Sequence, residues 1–374
     1  MPVMKRLGRW FGEMDGVVVA STLLLLLAGF LLLYSAGLAP SAAANPPLWA
    51  RQLKWAGIGL LGLVFFYSMD FYSLTEYIYS LYALTLFLLV LVLGLGYATM
   101  GARRWFNVGF MLFQPSELSK LTMILLIARI VVRHQGRMHL PANFLLPFWF
   151  VTPPLVLIFL QPDLGTAIIL LPLTLILMFA GGARVKHFVI LIGTFLLVLP
   201  LSWFVLHDYQ RNRILYFLRP EMDPLGGGYS IIQSAIAIGS GGLLGKGWLK
   251  GTQIHRDFIP EHHTDFIFAV LGEEWGFVGS FVVLLLYLVL LMQGMKICKQ
   301  AREPLGRLIA CGVVALFALQ ILINVGMTIG LTPITGLPLP FLSYGGSSLL
   351  VSLSAVGLLL NVGRSTRRRR RQGG

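Results

Sequence analysis

Hydrophobic residues in this chain fall into long runs separated by short polar punctuation. Gly16 to Ala39, Ile78 to Gly96, Leu118 to Val132, Phe188 to Leu206 and Phe277 to Met292 each approach or exceed a bilayer-crossing length. Shorter or interrupted runs lie at Leu53–Met69, Phe144–Leu160, Leu164–Ala180, Leu308–Ile329 and Phe341–Val362. The pattern predicts about ten spans of the roughly 20-residue kind that cross hydrocarbon. All should be helices, because an open sheet edge in lipid leaves backbone groups unsatisfied. The expected fold class is an all-α polytopic membrane protein, one domain over residues 1–374. One long extracytoplasmic loop is expected at 208–264 and a basic tail at 364–374.

Composition agrees with a lipid solvent. Of 374 residues, 57% are hydrophobic and only 12% are charged, about half the charged share of an ordinary soluble domain. The basic start MKRLGRW and the segment Ser41-Ala42-Ala43-Ala44 imitate a cleaved leader. The apolar run between them is too long for the roughly 7–15 residues of a signal core, so it is read as the first span.

Lysine and arginine set the expected orientation. An even number of spans puts both termini on one side, and both are basic: Lys5, Arg6 and Arg9 at one end, the run RRRRR at the other. Loops on that side carry Arg129, Arg133 and Arg137, then Arg184 and Lys186, then Lys296, Lys299, Arg302 and Arg307. The positive-inside rule places that side, and both termini, in the cytoplasm. The net charge of +14 is then topology anchoring and headgroup contact. No soluble basic domain exists to bind nucleic acid.

The exceptions point to chemistry. Arg103 and Arg104 fall in an outer loop, and Arg211, Arg213, Arg219, Lys246, Lys250 and Arg256 in the long one. Basic residues on the outer face oppose the insertion bias, which predicts an anionic partner there. The stretch GSGGLLGKG imitates a phosphate loop but fails its spacing, since Ser240 takes the first glycine position and Gly247 the last. Its expected role is a flexible lid whose amides and Lys246 meet phosphate. The apolar stretch Ile231 to Ile238 is too short to span and is expected at or in the membrane surface. Cys298 and Cys311 carry no redox signature.

Three ionisable clusters sit at span edges. QPSE ends in Glu117, with Lys120 one turn on, a spacing that lets the two neutralise each other. QPD ends in Asp163, placed to meet the positive end of a helix dipole. HRDFIPEHHTDFIF, His255 to Phe268, crowds three histidines against an apolar run. Adjacent histidines diverge on a helix and no His-Glu-x-x-His pattern is present, so zinc is not expected. Asp265 is the last acid before the bilayer edge, where partial desolvation suits a general base. Glu273 and Glu274 follow within the same helix, where they need partners.

At these residues a family resemblance emerges. PEHHTDFIFAVLGEEWG, DPLGGGYSIIQSAIAIGSGGLLGKG, QPSELSK, QPDLGTA and TGLPLPFLSYGGSS resemble the SEDS proteins of shape, elongation, division and sporulation. HDYQRNR and GKGWLKGTQ look more like the elongation branch, RodA, than the division branch, FtsW. The resemblance runs from the first span to the last. It implies a peptidoglycan glycosyltransferase that polymerises lipid II, on an undecaprenyl-pyrophosphate carrier, at the outer face of the bacterial cytoplasmic membrane. It puts the catalytic base on Asp265, with His263 and Thr264 as neighbours that position it. Arg104, Glu117, Lys120, Asp163, Arg213 and Lys246 are the expected substrate-binding residues. The resemblance assigns no particular cofactor, and a divalent cation (Mg or Mn) would help a pyrophosphate leave. A class B penicillin-binding protein, a transpeptidase, is the implied partner. The alternative is a flippase for lipid-linked precursors, which predicts internal repeats that this sequence does not display clearly.

Overall fold

The computed structural model describes residues 13–40, 46–99, 102–107, 109, 112–202, 204, 211–212, 215–217, 219, 221, 228–255 and 258–372. Arg213, Arg256 and the basic start at Lys5, Arg6 and Arg9 lie outside the described residues.

Helices follow in chain order: α1 (Gly16–Ala36), α2 (Leu48–Ser68), the short α3 (Phe71–Glu76) and α4 (Ile78–Leu95). A small antiparallel ribbon comes next, β1 (Tyr97–Thr99), β2 (Ala102–Asn107) and β3 (Leu112–Phe113), in spatial order β1-β2-β3. Then come α5 (Pro115–Arg133), α6 (Pro141–Leu160), α7 (Leu164–Ala180), α8 (Val185–Ser202), α9 (Tyr229–Gly241) and the single turn α10 (Thr252–His255). The chain ends with α11 (Ile267–Gln300), α12 (Pro304–Thr328) and α13 (Gly346–Gln372).

Among the described residues, six helices are long and apolar enough to cross a bilayer: α1, α4, α6, α11, α12 and α13 up to Arg367. The protein is therefore an α-helical, multi-pass membrane protein. Local signals place the ends. Asp15 caps α1 by accepting from the Val17 and Val18 amides. Proline opens α5, α6 and α12, where its missing N–H costs nothing.

Burial separates an inner layer from an outer one. The apolar windows of α13 and α12 are 89% and 67% buried, whereas that of α4 is only 22% buried. Helix α5 is buried along nearly its whole length. The bundle thus holds α5, α12 and α13 at its centre, and α4, α6, α8 and the second half of α11 turn leucine, valine and phenylalanine outward to lipid. The closest central packing joins α2 and α13. A Cβ on Gly59 would fall 2.5 Å from Leu353, and one on Gly357 would fall 2.4 Å from the Leu63 carbonyl.

Three features depart from simple spans. The loop with Arg103 and Arg104 is a β-ribbon, which apolar runs could not reveal. The segment after α12 stays irregular to Gly345, so the expected span from Phe341 starts only at Gly346. Irregular backbone survives at depth because protein groups satisfy it. Gln52 donates to Ser343 O (3.1 Å) and accepts from Gly345 N (3.3 Å), Ser343 Oγ accepts from Leu339 N (2.8 Å), and the Tyr287 hydroxyl donates to Pro340 O. Finally, α11 is broken at Gly276, whose φ is 66°.

Candidate active site

Asp265 stands at the end of a tight turn, two residues before α11 begins. The amides of Thr264 and Asp265 both donate to the Glu261 carbonyl, each at 3.1 Å. The Thr264 hydroxyl reaches the same carbonyl at 3.2 Å and the Glu261 carboxylate at 3.1 Å. The turn is thus closed on itself, and His262 pins it to the bundle. That imidazole is buried, with Nδ1 3.0 Å from Ile259 O and Nε2 3.2 Å from Ala36 O at the end of α1. Each ring nitrogen thus faces a backbone carbonyl, one within the turn and one on α1.

The opposite wall is the irregular segment after α12. Tyr344 N donates to His263 O at 2.8 Å, and the two rings lie 5.9 Å apart. Asn324 Nδ2 donates to both Asp265 O (2.8 Å) and Leu337 O (2.6 Å). A Cβ added to Gly336 would come 3.4 Å from Asp265 Oδ2, so the carboxylate lies against that glycine. His263 Nδ1 is buried with no hydrogen-bond partner among the described residues. Burial, helped by the neighbouring His262 and opposed by Glu261, pushes the His263 imidazole below its ordinary value and favours the neutral ring.

A second constellation gathers where α5 and α7 begin. Asp163 caps α7 through Thr166 N (3.3 Å), while its other oxygen accepts from Gln114 Nε2 (2.9 Å) and Ser116 Oγ (2.7 Å). One carboxylate therefore staples the QPS and QPD motifs together. Arg104, from β2, donates to Gln161 O at 2.8 Å and Pro162 O at 2.6 Å. One turn into α5, Lys120 Nζ meets Glu117 Oε1 at 2.6 Å, with the lysine fully buried and the glutamate nearly so. Glu117 Oε2 is buried without a partner among the described residues. Ser347 Oγ accepts from Gln114 N at 2.9 Å, and Gly165 packs against Thr335 and Leu337. The irregular segment from Thr335 to Gly345, with Ser347 at the start of α13, thus borders both this constellation and the Asp265 turn.

The glycine-rich loop has a different role from the expected flexible lid. Where α11 breaks, the backbone groups it frees are met by that loop. Lys246 N and Gly247 N donate to Glu273 O and Glu274 O, each at 3.0 Å. In return, Phe277 N and Val278 N donate to Gly242 O (2.9 Å) and Leu243 O (3.0 Å). Backbone meets backbone so closely that a Cβ on Gly245 would lie 2.1 Å from Glu274 O, and one on Gly276 2.2 Å from Gly245 N. Both glycines also have positive φ, 78° and 66°. Two of the amides expected to cradle phosphate, those of Lys246 and Gly247, are spent on a broken helix. Lys246 Nζ is likewise engaged, 2.6 Å from Glu273 Oε1, which also accepts from Thr252 N, Thr252 Oγ1 and Gln253 N. Glu274 accepts from Ser35 Oγ of α1. Both acids therefore hold the glycine-rich loop and α1 in place. The stretch Ile231–Ile238 lies inside α9, which packs on α11 and buries Ile231, Ser234 and Ala237.

The structure brings His263, Thr264 and Asp265 into one turn, and Arg104, Glu117, Lys120 and Asp163 around the α5–α7 junction. Lys246 falls in a third place, at the break in α11. Asn324 escaped the sequence reading because an asparagine inside an apolar run carries no motif. The signal available was its spacing, since Gln320, Asn324 and Thr328 recur every four residues and so share one helix face. All three are buried. Among the described residues, no three His, Cys, Asp or Glu side chains cluster as a metal site.

Known proteins resemble this chain along nearly its whole length. The model of the FtsW/RodA/SpoVE cell cycle proteins matches residues 16–368. The peptidoglycan glycosyltransferase MrdB of Escherichia coli K12 is 39% identical over 353 residues, 93% of this chain and 94% of that one. The Thermus thermophilus rod shape determining protein RodA superposes with a TM-score of 0.70 at 32% identity, over 94% of this chain and 97% of that one. A chain from a structure of a peptidoglycan synthase complex that coordinates polymerization and crosslinking superposes with a TM-score of 0.81 at 37% identity, over 94% and 98%. Matched from its first helix to its last, this chain belongs to the FtsW/RodA/SpoVE family, the SEDS proteins.

Proposed function

We propose that this chain is an inverting peptidoglycan glycosyltransferase that polymerises lipid II during cell elongation, with Asp265 as its catalytic base. Peptidoglycan glycosyltransferase is the activity named for the E. coli relative, and it is the activity assigned here. The observation that carries the choice of base is the seat of Asp265, a carboxylate against Gly336 on a turn fixed from α1, α12 and the irregular segment.

The acceptor's 4-hydroxyl attacks the anomeric carbon of the undecaprenyl-linked donor. A new β-1,4 carbon–oxygen bond forms as the α bond to pyrophosphate breaks, and the pyrophosphate leaves with the electron pair. Asp265 takes the hydroxyl proton. One carboxylate suffices because pyrophosphate leaves without a general acid, unlike the paired carboxylates of glycoside hydrolysis.

Positive charge must meet the leaving group. Lys120 and Lys246 each face a carboxylate, so their charge is offset locally. Among the described residues, Arg104 hydrogen-bonds to neutral carbonyls and forms no ion pair with a carboxylate. Among the described cations of the proposed substrate set, Arg104 is the one best suited to pyrophosphate; Arg213 is proposed from sequence alone. Glu117, Lys120 and Asp163 shape the wall, and His263 and Thr264 position the base. A divalent cation, Mg or Mn, would be held mainly by the pyrophosphate and water, as magnesium usually is.

The topology proposed is ten spans, both termini cytoplasmic and Asp265 outside. A class B penicillin-binding protein is the proposed partner, a reading supported by the synthase-complex neighbour. The test is purified protein with labelled lipid II, alone and with that transpeptidase. Glycan polymer supports the reading, whereas lipid movement across vesicles without polymer would favour the flippase.

A further inference from the structure

We propose that Asn324 is a positioning residue for the reaction, setting the Asp265 carboxylate against the segment that faces it. This inference rests on the reading of Asp265 as the base. The side chain is fully buried in α12, and its amide nitrogen bridges two carbonyls, Asp265 O at 2.8 Å and Leu337 O at 2.6 Å. Those carbonyls belong to segments far apart in sequence, the turn that ends in Asp265 and the irregular strand after α12. Neither segment is held in a helix here, so no ladder fixes their separation.

The bridge acts next to the carboxylate itself. Gly336, the residue before Leu337, is the one a Cβ would bring to 3.4 Å from Asp265 Oδ2. Drawing Leu337 O and Asp265 O onto one amide therefore sets the gap in which the carboxylate sits. Both groups to be joined are acceptors, so the bridge needs two N–H donors from one side chain. An amide supplies them without bringing the charge of lysine or arginine into the bundle. Asparagine and glutamine qualify, and asparagine's shorter arm fits a helix this close to the turn.

The surroundings confirm that the position was not chosen for packing alone. Asn324 Oδ1 is buried with no partner among the described residues, as is Gln320 Oε1 one turn below. Keeping an unsatisfied acceptor buried carries a desolvation penalty that a leucine would avoid. One turn above, Thr328 O accepts from Ser234 Oγ at 2.8 Å and so ties α9 to the same helix face. The polar stripe of α12 thus anchors α9, the Asp265 turn and the Leu337 segment in register.

The experiment compares Asn324→Leu, Asn324→Asp and Asp265→Asn with the parent, as full chains in complex with the transpeptidase. It records lipid II polymerisation rates across substrate concentration and melting of detergent-extracted protein. Asn324→Asp keeps the volume and removes the donors. Misplacing a reacting group by about 1 Å costs on the order of 100-fold. The expected result is therefore a kcat roughly 10- to 100-fold lower in both Asn324 variants. KM should stay within about two-fold, since Asn324 touches no substrate. Should Asn324→Leu fail to fold, Asn324→Asp carries the comparison. Parental kcat in the folded Asn324 variants, with Asp265→Asn inactive, overturns this inference and leaves the base assignment standing. Loss of melting temperature in proportion to activity, with kcat and KM drifting together, reduces Asn324 to a structural role and also overturns it. Parental turnover by Asp265→Asn sinks both readings.

Discussion

Lys246 and Glu273 meet at 2.6 Å across the junction between the glycine-rich loop and the broken helix α11, and the glutamate side chain is fully buried. The same Glu273 oxygen takes the amides of Thr252 and Gln253, so one acid fastens both ends of an eight-residue stretch. This pair holds the loop against α11.

The first prediction follows from that anchoring. Lys246→Met should strand a buried carboxylate and loosen the loop. The loss of stability should fall below the roughly 3–5 kcal/mol typical of breaking a fully buried pair, because a quarter of the lysine side chain remains exposed. Adding Glu273→Gln should recover melting temperature and most of the polymerisation rate. Thermal melting and lipid II turnover of the single and double variants measure this. A double variant that melts like the parent yet makes no polymer would return Lys246 to the phosphate-binding role.

A second prediction concerns Glu117 and Lys120. Both are enclosed, so Lys120→Ala should leave an uncompensated acid and damage folding and activity together. Glu117→Gln with Lys120→Met should restore folding better than activity, because the cavity wall would still have lost its charges. Equal recovery of both would make the pair purely structural.

The third prediction is a pH dependence. Burial holds the His263 ring below its ordinary value, so in the acid range the unfolded chain binds this proton before the folded one does. Stability therefore rises with pH and is lost as pH falls below about 6.5, the ordinary imidazole value. Replacing His263 by asparagine should flatten the melting-temperature profile on the acid side of that value. An unchanged acid slope would show that the proton is taken up elsewhere.

The spans and the charged motifs were legible in sequence because each leaves a one-dimensional trace: an apolar run of bilayer length, or an acid where no acid is cheap. Asp163 and Glu117 were visible for that reason. The role of GSGGLLGKG was not. Its glycines fit a phosphate cradle and a backbone-on-backbone contact equally well, and only the break at Gly276, eleven residues after Asp265, decides between them. The β-ribbon that carries Arg104 was hidden because six residues of mixed character have no period long enough to read. The apolar pattern carries the last span back to Phe341, because Phe341 and Leu342 are apolar and sequence alone does not distinguish a buried irregular stretch from a helix. The true state of that stretch depends on partners far away in sequence, Gln52, Tyr287 and Asn324, which no local pattern announces.

The central claim is that Asp265 removes the acceptor's proton, and one measurement tests it most directly. Asp265→Asn keeps the size of the side chain and removes only its capacity to take a proton. Folded variant and parent, in matched amounts with the class B penicillin-binding protein, are given labelled lipid II, and glycan chain synthesis is followed. A positioned general base contributes typically about 10²–10⁴-fold, so synthesis should fall by at least that order while melting temperature and partner binding persist. Near-parental polymer from the Asp265→Asn protein would contradict the account.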